Sequence, residues 1–204
     1  MRLKLNPSSL ADYRTFLAVK RLPRYQVVGE SVEFPDEYAE MIGVKSRAPA
    51  VVNYTPSAFL FDYQRDIVTL ALRKQRFAVF ADCGLGKTLI YLEWIRGVLT
   101  AIPSSKCILI VAPLMVVRQS LEDVKQFYGD SLPIEQVRAA NLQDWLNGDR
   151  KCQVGITNYE AISEGLTPGD LDGLILDESS TLKSHYGAWG TRLIDLGSGL
   201  EWKL

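Results

Sequence analysis

The sequence has little of the chemistry that marks secreted, metal-binding or membrane proteins. It contains three cysteines and one histidine among 204 residues, and these recur at neither a metal-ligand nor a disulfide-framework spacing. No run approaches the roughly 18 consecutive apolar residues of a membrane helix, and no signal-peptide apolar stretch follows the start. We therefore expect a cytoplasmic protein without a membrane span, with Cys107 and Cys152 as core thiols and His185 at the surface.

An excess of charge of either sign is also missing. The 23 basic and 24 acidic side chains nearly cancel, so binding to a polyanion would have to use a local patch. The charge is uneven near the start, where residues 1–24 carry six bases and one acid and residues 25–40 carry five acids and no base. Either these two segments pair with each other or form solvated faces, or the first presents a surface that contacts phosphate groups.

Residues 1–52 predict a small α+β accessory unit that precedes the main domain. Its expected strands are Met1–Leu5 and Tyr25–Phe34, and its expected helices are Leu10–Leu22 and Asp36–Ile42. Small and basic residues at 43–49 then indicate a boundary.

Residues 53–204 alternate helices with short, uninterrupted apolar strands, which predicts an α/β fold with a parallel sheet and helices on both faces. The expected helices are Phe59–Lys74, Thr88–Leu99, Val116–Phe127 and a turn at Leu142–Leu146. The expected strands are Phe77–Phe80, Cys107–Ala112, Ile134–Val137, Gln153–Thr157 and Leu174–Leu176. Ligands of such sheets bind where the strands end, and both distinctive motifs of this sequence lie there.

The first motif, Ala-Asp-Cys-Gly-Leu-Gly-Lys-Thr, begins at Ala81 between an expected strand and an expected helix. Its backbone N–H groups can wrap the phosphates of a nucleotide, with Lys87 beside them and the Thr88 hydroxyl on Mg²⁺. Oxidation of Cys83 inside the loop would block nucleotide entry. The expected nucleotide-binding residues of this loop are Gly84, Leu85, Gly86, Lys87 and Thr88.

The second motif is an acidic pair, Asp177 and Glu178, directly after an apolar strand. One carboxylate can hold a metal ion, and the other can polarise a water molecule. Together the two motifs predict a site that hydrolyses ATP with Mg²⁺. We expect Lys87, Asp177 and Glu178 to be catalytic, and Thr88 and Asp177 to hold the metal.

Five ordered motifs resemble superfamily 2 helicases and translocases, in particular their Swi/Snf-like branch. The loop resembles motif I because Ala81 replaces the first glycine and Gly84 precedes Gly86-Lys87-Thr88, and the acidic pair resembles motif II. The other three are Tyr63-Gln64 (the upstream glutamine motif), Ile108–Leu114 (motif Ia) and Ile156–Glu160 (motif Ib or Ic). The resemblance covers roughly residues 56–204, and the compact form and Ser179-Ser180 look similar to phage or bacterial members.

The resemblance implies the first RecA-like P-loop lobe of an ATP-dependent DNA helicase or double-stranded DNA translocase. It implies that the Gln64 amide reads the adenine edge, and that Pro113, Arg118 and Thr157 contact the nucleic-acid backbone, with DNA favoured over RNA. It also implies that a second lobe, with arginines that stabilise the transferring phosphoryl group, is missing from this chain, since Leu204 falls about where the motif III strand would start. Phe61, where the family has arginine, and Ser179-Ser180 depart from the pattern.

Two other functions remain open from the residues. One is a different P-loop enzyme such as a small-molecule kinase, against which Ala81, Gln64 and the acidic pair argue. The other is a non-catalytic module that binds nucleic acid or protein through residues 1–52.

Overall fold

The computed structural model describes residues 2–34, 38–44, 52–82, 84–182 and 187–204. The expectations for Cys83 and His185, and part of the helix expected at Asp36–Ile42, fall outside these ranges. The chain divides into two compact units, Met1–Ala48 and Pro49–Leu204. Among the described residues, no helix is both long and apolar enough to span a membrane.

The first unit is an antiparallel sheet with one α-helix among its described residues. Its strands are β1 (Arg2–Lys4), β2 (Gln26–Val28) and β3 (Ser31–Glu33), in the order β1-β3-β2, and its helix is α1 (Leu10–Val19), followed later by a 3₁₀ turn at Glu40–Ile42. The single strand expected at Tyr25–Phe34 was wrong, because Gly29 takes a positive φ of 57° and turns the chain into a hairpin. Apolar periodicity does not distinguish one long strand from two short ones.

The second unit is a five-stranded parallel sheet in the order β5-β6-β4-β7-β8, which confirms the expected α/β fold. Its strands are β4 (Cys107–Ala112), β5 (Ile134–Gln136), β6 (Val154–Asn158), β7 (Leu171–Leu176) and β8 (Trp202–Lys203). Its α-helices are α2 (Asp62–Lys74), α3 (Lys87–Leu99), α4 (Leu114–Phe127), α5 (Leu142–Leu146) and α6 (Ala188–Leu196). Short 3₁₀ turns lie at Gly129–Ser131, Ala139–Asn141, Tyr159–Ala161 and Ser179–Leu182.

The middle strand β4 shows why the sheet is covered on both faces. All six of its residues are fully buried, and alternate side chains enter different hydrophobic clusters. Ile108 and Ile110 pack with residues of α2, α3 and α4, whereas Leu109 and Val111 pack with residues of α5 and α6. A strand buried on two sides must be apolar throughout, and this is the pattern that made it recognisable in the sequence.

The buried strand expected at Phe77–Phe80 does not form. The segment joins the sheet through one parallel bridge between Arg76 and Lys203 and a hydrogen bond from Phe77 N to the Lys203 carbonyl of 3.0 Å. Strand β8 therefore lies between β7 and this segment. Because the pairing does not continue into a strand, Phe80 is 97% exposed.

Candidate active site

The loop that begins at Ala81 leads directly into α3, as the first motif requires. Gly84 and Gly86 have φ values of 83° and 66°, which side chains with a Cβ rarely adopt. Gly86 is the N-cap of α3, so the helix begins at Lys87 and its first backbone N–H groups have no partner within the helix. This arrangement and the helix dipole favour an anion at the loop.

Two neighbouring residues of α2, Tyr63 and Gln64, form hydrogen bonds with the loop. Gln64 is 1% exposed, and its Nε2 donates to the Leu85 carbonyl over 3.2 Å, while the Tyr63 hydroxyl donates to the same oxygen over 3.1 Å. The Gln64 Oε1 accepts from the Phe61 backbone N–H over 3.0 Å. The side-chain amide that was expected to read adenine is thus occupied within the chain, and its adenine contact stays a prediction.

The two sequence motifs meet at the carboxyl end of the sheet. The Lys87 Nζ lies 3.4 Å from Glu178 Oε1 and donates to the Ala81 carbonyl over 3.2 Å. Glu178 has a positive φ of 51°, unusual for a residue with a side chain. Such outliers cluster at functional sites, and this one lies two residues beyond the end of β7.

Asp177 is nearly buried, at 9% exposure, beside this pair. Burial raises the pKa of its carboxyl and the Glu178 carboxylate adds to the increase, against the opposing effects of the Glu178 backbone N–H and Lys87. The backbone N–H bonds to Asp177 Oδ1 over 3.0 Å, and the Tyr159 hydroxyl donates to the Asp177 carbonyl over 2.7 Å. Tyr159 belongs to the Ile156–Glu160 motif, but its bond to Asp177 was not predicted, since it joins the ends of two different strands.

A cavity of about 680 Å³ opens at this end of the sheet. It is lined by loop residues, by the acidic pair and by neighbouring side chains, among them Ala81, Asp82, Lys87, Tyr91, Asp177, Glu178, Ser179 and Ser180. The volume lies in the usual range for small-molecule sites. The Lys87 ammonium group, the carboxylates of Asp177 and Glu178 and the N-terminus of α3 form a set that fits a phosphate group with a divalent cation.

The three residues expected to contact nucleic acid lie near two other strand ends. Pro113 directly follows β4 and precedes α4, and Arg118 is exposed on α4, where its Nε lies 3.0 Å from Glu122 Oε1. Thr157 in β6 is 1% exposed, and its hydroxyl donates to the Val137 carbonyl over 2.7 Å. Arg118 therefore lies at the surface, where a ligand could reach it beside Glu122, whereas the Thr157 hydroxyl points into the protein.

The fold and the site define a P-loop α/β lobe with an acidic pair at the end of the strand beside the central one. Residues 58–188, more than half of the chain, match the ResIII family, described as type III restriction enzyme, res subunit. The chain belongs to this family. The match and the sheet together confirm the expected RecA-like lobe of the superfamily 2 helicase type.

Solved structures that share this fold include a SWI2/SNF2 ATPase core and a phage helicase. The Sulfolobus solfataricus SWI2/SNF2 ATPase core in complex with dsDNA is 18% identical with a TM-score of 0.60, and the match covers 76% of this chain and 33% of that one. The UvsW helicase from bacteriophage T4 is 19% identical with a TM-score of 0.52, over 75% of this chain and 54% of that one. The chain thus corresponds to about a third and about half of these two proteins. No curated protein sequence matches it.

Proposed function

We propose that residues 53–204 are the ATP-binding first lobe of an ATP-dependent DNA helicase or double-stranded DNA translocase, with residues 1–52 as an accessory unit. In the whole protein, ATP hydrolysis is coupled to movement along nucleic acid. The observation that carries the proposal is the 3.4 Å approach of Lys87 Nζ to Glu178 Oε1 at the end of the sheet. It brings a phosphate-binding cation and a water-activating carboxylate into one cavity.

Each residue of the site takes one part in this reaction. The loop Gly84–Thr88 holds the ATP phosphates with its backbone N–H groups and Lys87. Thr88 and Asp177 would hold Mg²⁺, which when bound would neutralise charge on the phosphates. Glu178 orients or deprotonates the attacking water, so Lys87 must leave Glu178 for the phosphates when ATP binds.

The remaining assignments concern the base and the nucleic acid. Gln64 reads the adenine edge by exchanging its present bonds to the Leu85 carbonyl and the Phe61 backbone. Pro113, Arg118 and the backbone around Thr157 lie along the nucleic-acid path. Arginines from a second lobe complete the site and contribute about 10³-fold or more in rate, so this chain by itself hydrolyses ATP slowly.

The binding half of the proposal is tested by titrating a fluorescent ATP analogue with Mg²⁺ into the full chain. Lys87→Ala should weaken binding at least about tenfold, the loss of roughly one charge-assisted hydrogen bond. Lys125→Ala removes an exposed lysine of α4 and serves as the matched control. Equal affinities of the Lys87→Ala variant and the unchanged chain would overturn the phosphate-loop assignment.

The catalytic half is tested by phosphate release with and without duplex DNA. Glu178→Gln should keep ATP binding and abolish the slow hydrolysis. Fast hydrolysis without DNA, lost in Lys87→Ala, would contradict the need for a second lobe. Transfer of the phosphoryl group to a small molecule would instead support the kinase alternative.

A further inference from the structure

The charged residues at the start of the chain fall into two groups in the structure. Arg2 Nε lies 3.5 Å from Glu33 Oε1, and Lys4 Nζ lies 4.0 Å from Glu30 Oε2. The first strand therefore pairs with acids of the neighbouring hairpin, as one of the two sequence interpretations expected.

The other basic residues of this segment do not form such ion pairs among the described residues. Arg14, Arg21 and Arg24 are exposed, and in the described part of the chain no ion pair links them to an acid. Lys20 is exposed too and lies 5.8 Å above the Phe16 ring. Among the described residues, pairing between the segments thus accounts for two of the six bases, and the other four are exposed.

Helical periodicity places most of these charges on one side of α1. Ser9 caps the helix by accepting from the Asp12 N–H over 3.2 Å. Val19 is fully buried and Phe16 packs against the core of this unit, so they define the inner side. The N–H of Arg21 bonds to the Ala18 carbonyl over 3.1 Å, so the helical turn continues beyond Val19.

The residues on the opposite side recur every three to four positions, and all of them are exposed. Its members are Leu10, Tyr13, Arg14, Leu17, Lys20 and Arg21, which we call the basic face. Leu10 is 66% and Tyr13 is 54% exposed. Helix α1 and the turn that follows it thus present three cations and the exposed ring of Tyr13 on one side, and Arg24 follows shortly after.

We propose that the basic face binds the phosphate backbone of duplex DNA. Guanidinium groups bind phosphate through several N–H donors, and cations at the spacing of a helix can reach neighbouring phosphates along one strand. The chain as a whole has a net charge of −1, so such a patch acts locally and its binding depends strongly on salt. The choice of DNA as the polyanion rests on the proposed function.

An anionic membrane is the other surface that a basic helix can bind. The ten residues of α1 present only Leu10, Tyr13 and Leu17 as large exposed apolar side chains. Interfacial helices rely on a large apolar face buried among the lipids, and three side chains between charged residues provide little of it. The charge is therefore the dominant feature of this side, which favours DNA.

The test measures binding of a fluorescent DNA duplex by anisotropy, without nucleotide, at several salt concentrations. Arg14→Gln/Arg21→Gln removes two charges from the basic face. Arg2→Gln/Lys4→Gln removes two charges from the paired strand of the same unit and is the matched control. We expect the first variant to bind about tenfold more weakly at low salt, with a slope of log K against log salt reduced by about 2. The control should keep its slope.

Further arms separate this proposal from its alternatives. Arg14→Lys/Arg21→Lys should restore most of the slope, whereas a structural defect would remain. Equal slopes for the two Gln variants, or no loss in the first, would overturn the proposal, as would loss of binding to phosphatidylserine vesicles with unchanged DNA affinity. Because ATP is absent from this assay, equal ATP affinities of Lys87→Ala and the unchanged chain would refute the proposed function and leave this result standing.

Discussion

The buried carboxylate of Glu93 in α3 should be among the most sensitive positions of the second unit. It is fully buried, and its two oxygens accept hydrogen bonds from four residues. Oε1 accepts from Ser57 Oγ at 2.6 Å and from Tyr128 OH at 2.9 Å, and Oε2 accepts from Tyr54 OH at 2.6 Å. Arg96 Nη1 lies 2.8 Å from Oε1 and 3.0 Å from Oε2.

Glu93→Gln keeps the shape of this group and changes only its chemistry. The new amide has one acceptor oxygen, so the donors around one carboxylate oxygen face an NH₂ group in either orientation. Two unsatisfied donors at about 1–2 kcal/mol each, with Arg96 partly able to recruit water, give a loss of about 2–4 kcal/mol. This corresponds to a decrease in Tm of roughly 5–15 °C for a chain of this size.

Urea unfolding followed by tryptophan fluorescence measures this loss. All four tryptophans, Trp94, Trp145, Trp189 and Trp202, belong to the second unit, so the signal reports that unit alone. Glu122→Gln breaks a similar Arg–Glu pair whose side chains are 88% and 64% exposed, and it should change stability by less than about 0.5 kcal/mol. Equal effects of the two substitutions would refute the reasoning.

The pH dependence supplies a second check. Burial raises the pKa of Glu93, but the hydrogen bonds from Ser57, Tyr54, Arg96 and Tyr128 outweigh it and lower the pKa overall. A carboxyl whose pKa is lowered by folding stabilises the fold fully at a pH above its unfolded-state pKa of about 4.3. It loses that contribution as the pH falls through its folded-state pKa. The difference in the free energy of unfolding between the unchanged chain and Glu93→Gln should therefore become smaller as the pH falls.

Three further predictions concern the site and the core. Gly86→Ala should weaken ATP-analogue binding more than Gly84→Ala, since both residues have positive φ but only a Cβ at position 86 would meet Gln64 Nε2, at 2.5 Å. Asp177→Asn should abolish Mg²⁺-dependent ATP binding yet raise the Tm at pH 7. A buried carboxyl with a raised pKa destabilises the ionised fold, so this gain should shrink as the pH falls. Burial raises the pKa of the Cys107 thiol to about 12, so Cys107→Ser should leave the number of native thiols that react with Ellman's reagent at pH 8 unchanged.

Local hydrophobicity predicted the strands that are buried on both faces. It failed where the formation of a strand depends on hydrogen bonds to a neighbouring strand. Strand β4 was predicted to the residue because every position needs an apolar side chain. Phe77–Phe80 is equally apolar, but a strand also needs a partner, and only Phe77 donates to the neighbouring Lys203 carbonyl. Strand β8 was not predicted, since two residues are too few to carry a period.

The candidate site also has features that a local sequence motif predicts and features that only the tertiary structure shows. Lys87, Asp177 and Glu178 could be predicted as site residues because loop and strand-end chemistry is written in consecutive residues. The structure brings them to one cavity, and their roles stay a prediction. The contact between Gln64 and the Leu85 carbonyl was not, since it joins α2 to a loop 21 residues away in the sequence. Motifs thus nominate the candidate residues, and the fold shows which contacts those residues make within the chain.

The contact between Lys87 and Glu178 bears on how the site responds to ATP. Both side chains are partly exposed, at 26% and 41%, so water screens the pair and it stabilises the fold by less than about 1 kcal/mol. Phosphates at the loop would offer Lys87 a stronger partner and free Glu178 to face a water molecule. On the proposed function, ATP binding therefore exchanges one ion pair for another, and Glu178→Gln should bind ATP as tightly as the unchanged chain or up to about fivefold more tightly. Clearly weaker binding would mean that Glu178 holds Lys87 in place for the phosphates and does not compete with them.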